Sequence, residues 1–99
     1  MVKLIWTEVS LEDLKSIFDF IAIDSKKYAA ITVEKIYNNA QVINSNPYIG
    51  SVVPEFSNKF IREIISGNYR IIYKIVSNSQ IDILRIYHSA RLLKKSSLE

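Results

Sequence analysis

Apolar residues change their spacing halfway along this chain, from a helical period to a strand period. A single small domain satisfies both by packing helices against a sheet. Leu11, Leu14, Ile17, Phe18 and Ile21 fall at the i, i+3, i+4, i+7 spacing of an amphipathic helix. Ser10-Leu11-Glu12-Asp13 has the form of a capping box ahead of it: the Ser hydroxyl takes a free N–H, and the acids meet the positive end of the helix dipole. Asp24-Ser25-Lys26-Lys27 breaks this stripe, and a second one runs through Ala29, Val33, Ile36, Tyr37, Ala40 and Ile43. It stops at Asn44-Ser45-Asn46-Pro47, where the residue before proline is pushed out of helical geometry.

Beyond Pro54 the chain turns to β-branched and aromatic runs, Phe60 to Ile65, Tyr69 to Val76 and Ile81 to Tyr87, divided by Gly67-Asn68 and Ser77-Asn78-Ser79 as hairpin turns would divide them. Period two puts Tyr69, Ile71, Tyr73 and Ile75 on one face, against the helices. It puts Arg70, Ile72, Lys74 and Val76 on the other, towards solvent or a partner. In the last run Leu84 and Ile86 are expected inward, Arg85 and Tyr87 outward. Lys3-Leu4-Ile5-Trp6 reads as a short first strand, and Ser89 to Lys95 as a short terminal helix capped by Ser89. The expected fold is α+β: an N-terminal strand, a helical hairpin, a three-stranded antiparallel sheet and a short C-terminal helix, all in one domain over residues 1–99. Leu98-Glu99 has the form of a cloning scar.

Composition removes several chemistries. With no Cys and one His there is no disulfide scaffold, thiolate metal site, cysteine nucleophile or multi-histidine centre. Two isolated glycines cannot make a phosphate-binding loop, so neither metal nor cofactor is expected. No apolar run is long enough for a signal peptide or a membrane span, so a cytoplasmic protein without a membrane partner is expected. Charge is uneven. Residues 1–50 carry five Lys against six acids, whereas residues 51–99 carry eight basic groups, including all four Arg, against four acids. An anionic partner is therefore expected on the second half, where planar guanidinium groups suit phosphate and carboxylate. Arg62, Arg70, Lys74 and Arg85 are its candidates on the outward sheet face, with Tyr87, His88 and Arg91 beside them at the end of the last strand.

Catalytic candidates are few. Cleaving RNA without a metal needs a base for the 2′-hydroxyl, an acid for the leaving oxygen and a cation for the phosphorane. Glu55, His88 and Arg70 could fill these roles if the fold unites them. Arg85 and His88, three apart on a strand, have opposite parity, so a bulge or the strand's end must turn one of them for both to face one site.

Taken in order, Trp6-Thr7, Leu11-Glu12-Asp13-Leu14, Pro47-Tyr48-Ile49-Gly50, Pro54-Glu55, Ile61-Arg62-Glu63-Ile64-Ile65, Gly67-Asn68-Tyr69-Arg70-Ile71-Ile72-Tyr73 and Ile83-Leu84-Arg85-Ile86-Tyr87-His88-Ser89-Ala90-Arg91 resemble the RelE/ParE superfamily of bacterial toxins, across about residues 3–93. The resemblance implies the toxin half of a type II toxin–antitoxin module, neutralised by a cognate antitoxin encoded beside it. ParE-type members act on DNA gyrase without known catalysis; RelE-type members cut messenger RNA on the translating ribosome. The Arg62-to-Arg70 stretch and the His88-Ser89-Ala90-Arg91 ending look closer to ParE. Ser66 stands where the RelE pattern has an arginine, and Lys59 alone remains of the basic pair before the sheet. Glu55, Arg70 and Tyr87-His88 nevertheless resemble the set of a histidine-using, ribosome-dependent branch, so an mRNA endoribonuclease is the alternative reading.

Overall fold

The computed structural model describes residues 2–89. Strand β1 (Lys3–Trp6) leads into helix α1 (Glu8–Ala22), helix α2 (Lys26–Ala40) and the short helix α3 (Val42–Ser45). Strands β2 (Ser51–Val52), β3 (Ile61–Ser66), β4 (Tyr69–Ser77) and β5 (Gln80–His88) follow. The α+β class and the helical hairpin are those expected. The sheet is larger than expected: five mixed strands in the order β1-β5-β4-β3-β2, not three antiparallel ones. β1 crosses over to pair parallel with β5, from Lys3 opposite Gln80 to Trp6 opposite Ile83. β2 adds two residues to the far edge. Neither pairing leaves a local trace, because β1 pairs with residues more than seventy positions away and β2 is too short to show a period. The expected terminal helix, with Arg91, lies outside the described residues apart from Ser89, which sits in a turn.

The first helix begins earlier than its capping box suggested. Thr7, not Ser10, is the cap, its Oγ1 accepting the Ser10 N–H at 3.1 Å. The same hydroxyl donates to the Ile83 carbonyl at 2.8 Å. One threonine thus starts α1 and ties it to β5, which a competing local motif could not reveal. Ser10 instead lies buried in the first turn, donating back to the Thr7 carbonyl at 2.7 Å. Ser25 caps α2 through the Tyr28 N–H. The second helical stripe breaks at Gln41, and Ile43 reaches the core from α3.

The larger core lies between helices and sheet, where Leu14, Ile36, Ala40 and Ile43 meet Ile71, Tyr73, Ile75, Ile81, Ile83 and Ile86. Burying each isoleucine fully is worth about 1.5–3 kcal/mol. β4 presents Ile71, Tyr73 and Ile75 to the helices as its period demanded. β5 departs from its expected faces. Ile72 lies opposite Arg85 but Tyr73 lies opposite Ile83, so Leu84 is an extra residue in β5. This bulge shifts the parity: Ile81, Ile83 and Ile86 turn inward, in place of Leu84 and Ile86. The other sheet face is only partly open to solvent. The segment after β2 folds over it, packing Val53 and Phe56 on Ile72, Tyr87 and Ile61 in a second cluster.

Tyr73 joins the sheet to the loop after α3. Its Oη donates to the Pro47 carbonyl at 2.7 Å and accepts the Gly50 N–H at 3.0 Å. A Cβ at Gly50 would stand 2.5 Å from the Glu63 carbonyl oxygen, so only glycine allows this approach. Burial raises the Tyr73 pKa above its ordinary 10.0, against the Gly50 hydrogen bond and the nearby Arg62 charge. Because the native state holds this proton more tightly, the associated stability is complete below pH 10 and is lost as pH climbs through the raised value. Tyr73→Phe is expected to lower unfolding free energy by about 1–3 kcal/mol in urea titrations at neutral pH, since it strands a buried N–H and a carbonyl. It should also lack the share of the alkaline loss of stability that Tyr73 is expected to cause in the unaltered chain. Equal stability of the two proteins would contradict this role.

Candidate functional site

The residues singled out in the sequence divide between two places. On the sheet face away from the helices, β4 carries Arg70 beneath the segment that follows β2. The Arg70 Nε donates to Glu63 Oε1 at 2.5 Å, and its Nη1 and Nη2 reach Glu55 Oε2 and Oε1 at 3.2 and 3.3 Å. The Arg70 side chain is 8% exposed, those of Glu55 and Glu63 19% and 13%. Burial opposes the guanidinium's charge, but its hydrogen bonds to Glu55 and Glu63 outweigh this and raise its pKa above the ordinary value. A shallow hollow of about 440 Å³ opens beside the cluster, between Pro54, Ile65 and Ser89. Among the described residues the cluster sets two carboxylates against one cation. Glu63 was not singled out from sequence, although the Gly67-Asn68 turn places it diagonal to Arg70: Ile65 faces Arg70 and Glu63 faces Ile72.

The second place is a groove of about 290 Å³ between α1 and β5, which Arg85, Tyr87 and His88 line together with Asp13, Phe20 and Tyr69. β1 ends opposite Ile83, and α1 takes over beside β5. Asp13 accepts from Arg85 Nε at 2.8 Å and Nη2 at 3.1 Å, and from the Ile86 N–H at 2.9 Å. One carboxylate therefore stands where a neighbouring strand would offer a carbonyl. The hydrogen bond that Arg85 donates to Asp13 outweighs burial and raises the Arg85 pKa. The Arg85 guanidinium also lies 4.7 Å from the centre of the Tyr87 ring. No local signal pointed to Asp13 in this role.

The parity problem of Arg85 and His88 is solved at the sheet's edge. The bulge precedes Arg85 and leaves the two on opposite faces, Arg85 facing Ile72 and His88 facing Tyr69. Arg85 reaches round the edge to Asp13, and both line the groove. His88 is exposed and packs edge-on to Tyr69, ring centres 5.8 Å apart. Arg70 lies opposite Tyr87, on the other face. The structure thus unites Glu55 with Arg70, and Arg85 with Tyr87 and His88, but it does not bring His88 to the Glu55–Arg70 pair.

The expected basic sheet face is dispersed. Arg62 lies opposite Tyr73, on the helix side, donating to the Gly50 and Lys59 carbonyls at 2.8 and 2.9 Å and stacking on Tyr48 at 4.9 Å. Lys74 is exposed on the outward face, opposite Ile61. Arg91 lies outside the described residues. Among the described residues, no group of three or more His, Cys, Asp or Glu is placed to hold a metal ion. No described helix is long and apolar enough to cross a membrane.

Over residues 4–93 the sequence matches the family described as the ParE toxin of the type II toxin–antitoxin system parDE. No curated protein matches it. A solved structure described as a chromosomal ParDE toxin–antitoxin system from P. aeruginosa superposes with a TM-score of 0.74 at 21% sequence identity. It covers 89% of this chain and 96% of that one. At this identity the likeness speaks for the fold.

Removing Arg70 alone takes from the half-buried Glu55 and Glu63 the cation that they share. Arg70→Met is expected to cost about 3–5 kcal/mol in urea unfolding at pH 7. The triple variant Arg70→Met, Glu55→Gln, Glu63→Gln should recover most of the loss. A single variant as stable as the unaltered chain would show that the cluster holds nothing together.

Proposed function

The chain belongs to the ParE toxin family of type II toxin–antitoxin systems, and from that premise we propose that it arrests growth by poisoning DNA gyrase, as a binding protein without chemistry of its own, and that a cognate antitoxin neutralises it. The separation of His88 from Arg70 and Glu55 carries this reading. A metal-independent ribonuclease must place base, acid and cation around one phosphodiester within hydrogen-bond reach. Here the strand register sets His88 and Arg70 on opposite sheet faces. Arg70 is already engaged by two carboxylates, and stabilising a phosphorane would require it to leave them. A surface that only binds has no such requirement. The alternative, an mRNA endoribonuclease acting on translating ribosomes, draws on Arg85, Tyr87 and His88 lining one groove, where the carboxylate among the described lining residues is Asp13, which Arg85 occupies.

Induced expression of the chain alone should arrest growth, and co-expression of the neighbouring antitoxin gene should restore it. Purified protein should block supercoiling by gyrase or trap cleaved DNA. His88→Gln should weaken this only slightly, because the amide keeps much of the contact. A nuclease would instead lose about 10²–10⁴-fold in message cleavage on the same change. His88-dependent cutting of ribosome-bound messages with no effect on gyrase would overturn the proposal.

A further inference from the structure

The loop after α3 and the turn before β3 bring two aromatic rings to one rim of the sheet. Tyr48 and Phe60 are 54% and 39% exposed, although rings of this size gain much from being covered. Arg62 gathers them. Its Nη1 donates to the Gly50 carbonyl at 2.8 Å and its Nε to the Lys59 carbonyl at 2.9 Å. Its guanidinium carbon also lies 4.9 Å from the centre of the Tyr48 ring. One side chain thus draws residues 48–50 and 59–60 into a single patch. The Lys59 ammonium stands 5.2 Å from the centre of the Phe60 ring, so each ring is matched with a cation.

Charge along this rim has one sign. Between Asn44 and Arg62 the single acid is Glu55, and it reaches Arg70 on the outward sheet face, as does Glu63, the next acid along. Among the described residues neither Lys59 nor Arg62 takes part in a salt bridge. Arg62 is committed to two carbonyls, which leaves Lys59 as the cation that can turn to an incoming anion. Flat exposed rings interleaved with cations suit a strand whose bases are unpaired, because bases stack on the rings while phosphates meet the ammonium. A duplex keeps its base faces inside. An acidic peptide would meet Lys59 but leave the ring faces uncovered.

We propose that Tyr48 and Phe60 stack unpaired bases of a single nucleic-acid strand, DNA or RNA, with Lys59 on its phosphates and Arg62 as the positioning residue that holds the Tyr48 ring. This surface goes beyond the gyrase reading and does not depend on it. It also lies apart from the outward sheet face, whose Arg70 is engaged by carboxylates.

Fluorescence anisotropy with labelled oligothymidylate and oligouridylate of about sixteen nucleotides, enough to span such a platform, tests the assignment on the purified full chain. A duplex of the same length serves for comparison. Both single strands should bind, or one of the two if the surface selects its sugar, and the duplex should bind more weakly. Tyr48→Leu and Phe60→Leu keep apolar bulk but lose the flat face; checked for folding by circular dichroism, each should weaken single-strand binding at least about fivefold. Tyr48→Phe and Phe60→Tyr should keep most of the affinity. Lys59→Ala should weaken binding and lower the slope of log affinity against log salt by about 0.7, the share of one phosphate contact on a single strand. Lys27→Ala tests for diffuse charge. α2 begins beside the Gly67-Asn68 turn, whereas Phe60 meets Ile75 at the other end of the same hairpin, so this change should leave binding within about twofold. Absence of single-strand binding at low salt would overturn the proposal. So would affinity indifferent to both leucine changes, equal losses in Lys27→Ala and Lys59→Ala, or polyglutamate binding more tightly than either strand in a manner that Tyr48→Leu abolishes. Since the readout is oligonucleotide binding, its failure removes this surface and leaves the gyrase reading to its own test.

Discussion

A charge placed on the face of a central strand must be matched where it lies or the sheet cannot be covered, and Arg70 is such a charge. β4 is packed on both faces, by the helices through Ile71, Tyr73 and Ile75 and by the Val53–Phe56 segment over Ile72. That second layer closes because Glu55 comes down with the segment and Glu63 rises from β3, so both carboxylates meet one guanidinium. Desolvating three charges is costly, and the gain comes from bidentate geometry and from the apolar contacts that the closed segment makes. The cluster therefore works as a fastener. An apolar trio of the same volume would hold the layer at least as well, so what the ions add is a fixed placement of the segment over the sheet.

The other end of the sheet is organised by the early end of β1. Strand pairing ceases at Trp6 opposite Ile83, and the chain turns directly into α1 through Thr7. From there β5 is bordered by a helix, and helical backbone offers its neighbours no carbonyls at strand spacing. Side chains take over: the Thr7 hydroxyl joins its own N–H on the Ile83 carbonyl, and beyond it the Asp13 carboxylate serves the Ile86 N–H and Arg85. The bulge at Leu84 falls at this handover, where a strand no longer constrained on one side can take in an extra residue. The groove beside α1 exists because a helix cannot approach a strand as closely as another strand does.

Much of this was legible in the sequence, for reasons particular to each element. The helices announced themselves because Leu14, Ile36 and Ala40 repeat at a period that nothing in the sheet imitates, and β4 because its alternation is unbroken from Tyr69 to Ile75. Glu55 and Arg70 were singled out only as a set with His88, conditional on the fold uniting all three, and the Glu63 contact was available from the hairpin register. What escaped was long-range. β1 joins β5 through residues that are neighbours only after folding, the cap moved from Ser10 to Thr7 because Thr7 has a second partner in β5, and the parity of the last strand was reset by a bulge that a regular period cannot foresee. Arg62, read as outward because it is charged, faces the helix side by strict alternation from Ile61. There it is accommodated by two backbone carbonyls and the ring of Tyr48.

The distribution of charge bears on how such a chain recognises a partner. Its basic excess lies in the second half, yet among the described residues the three arginines there are each committed internally: Arg62 to backbone carbonyls, Arg70 to Glu55 and Glu63, Arg85 to Asp13. Such guanidinium groups contribute architecture, because a ligand would have to replace partners already held at fixed geometry. The lysines of α2 hold no such partners among the described residues, and a flexible ammonium on a helix end can meet an incoming carboxylate without breaking anything. Counting charges by sequence segment pointed to the sheet. Among the described residues that pointer weakens, because Arg70 and Arg85 are paired with carboxylates and Arg62 is held by backbone carbonyls.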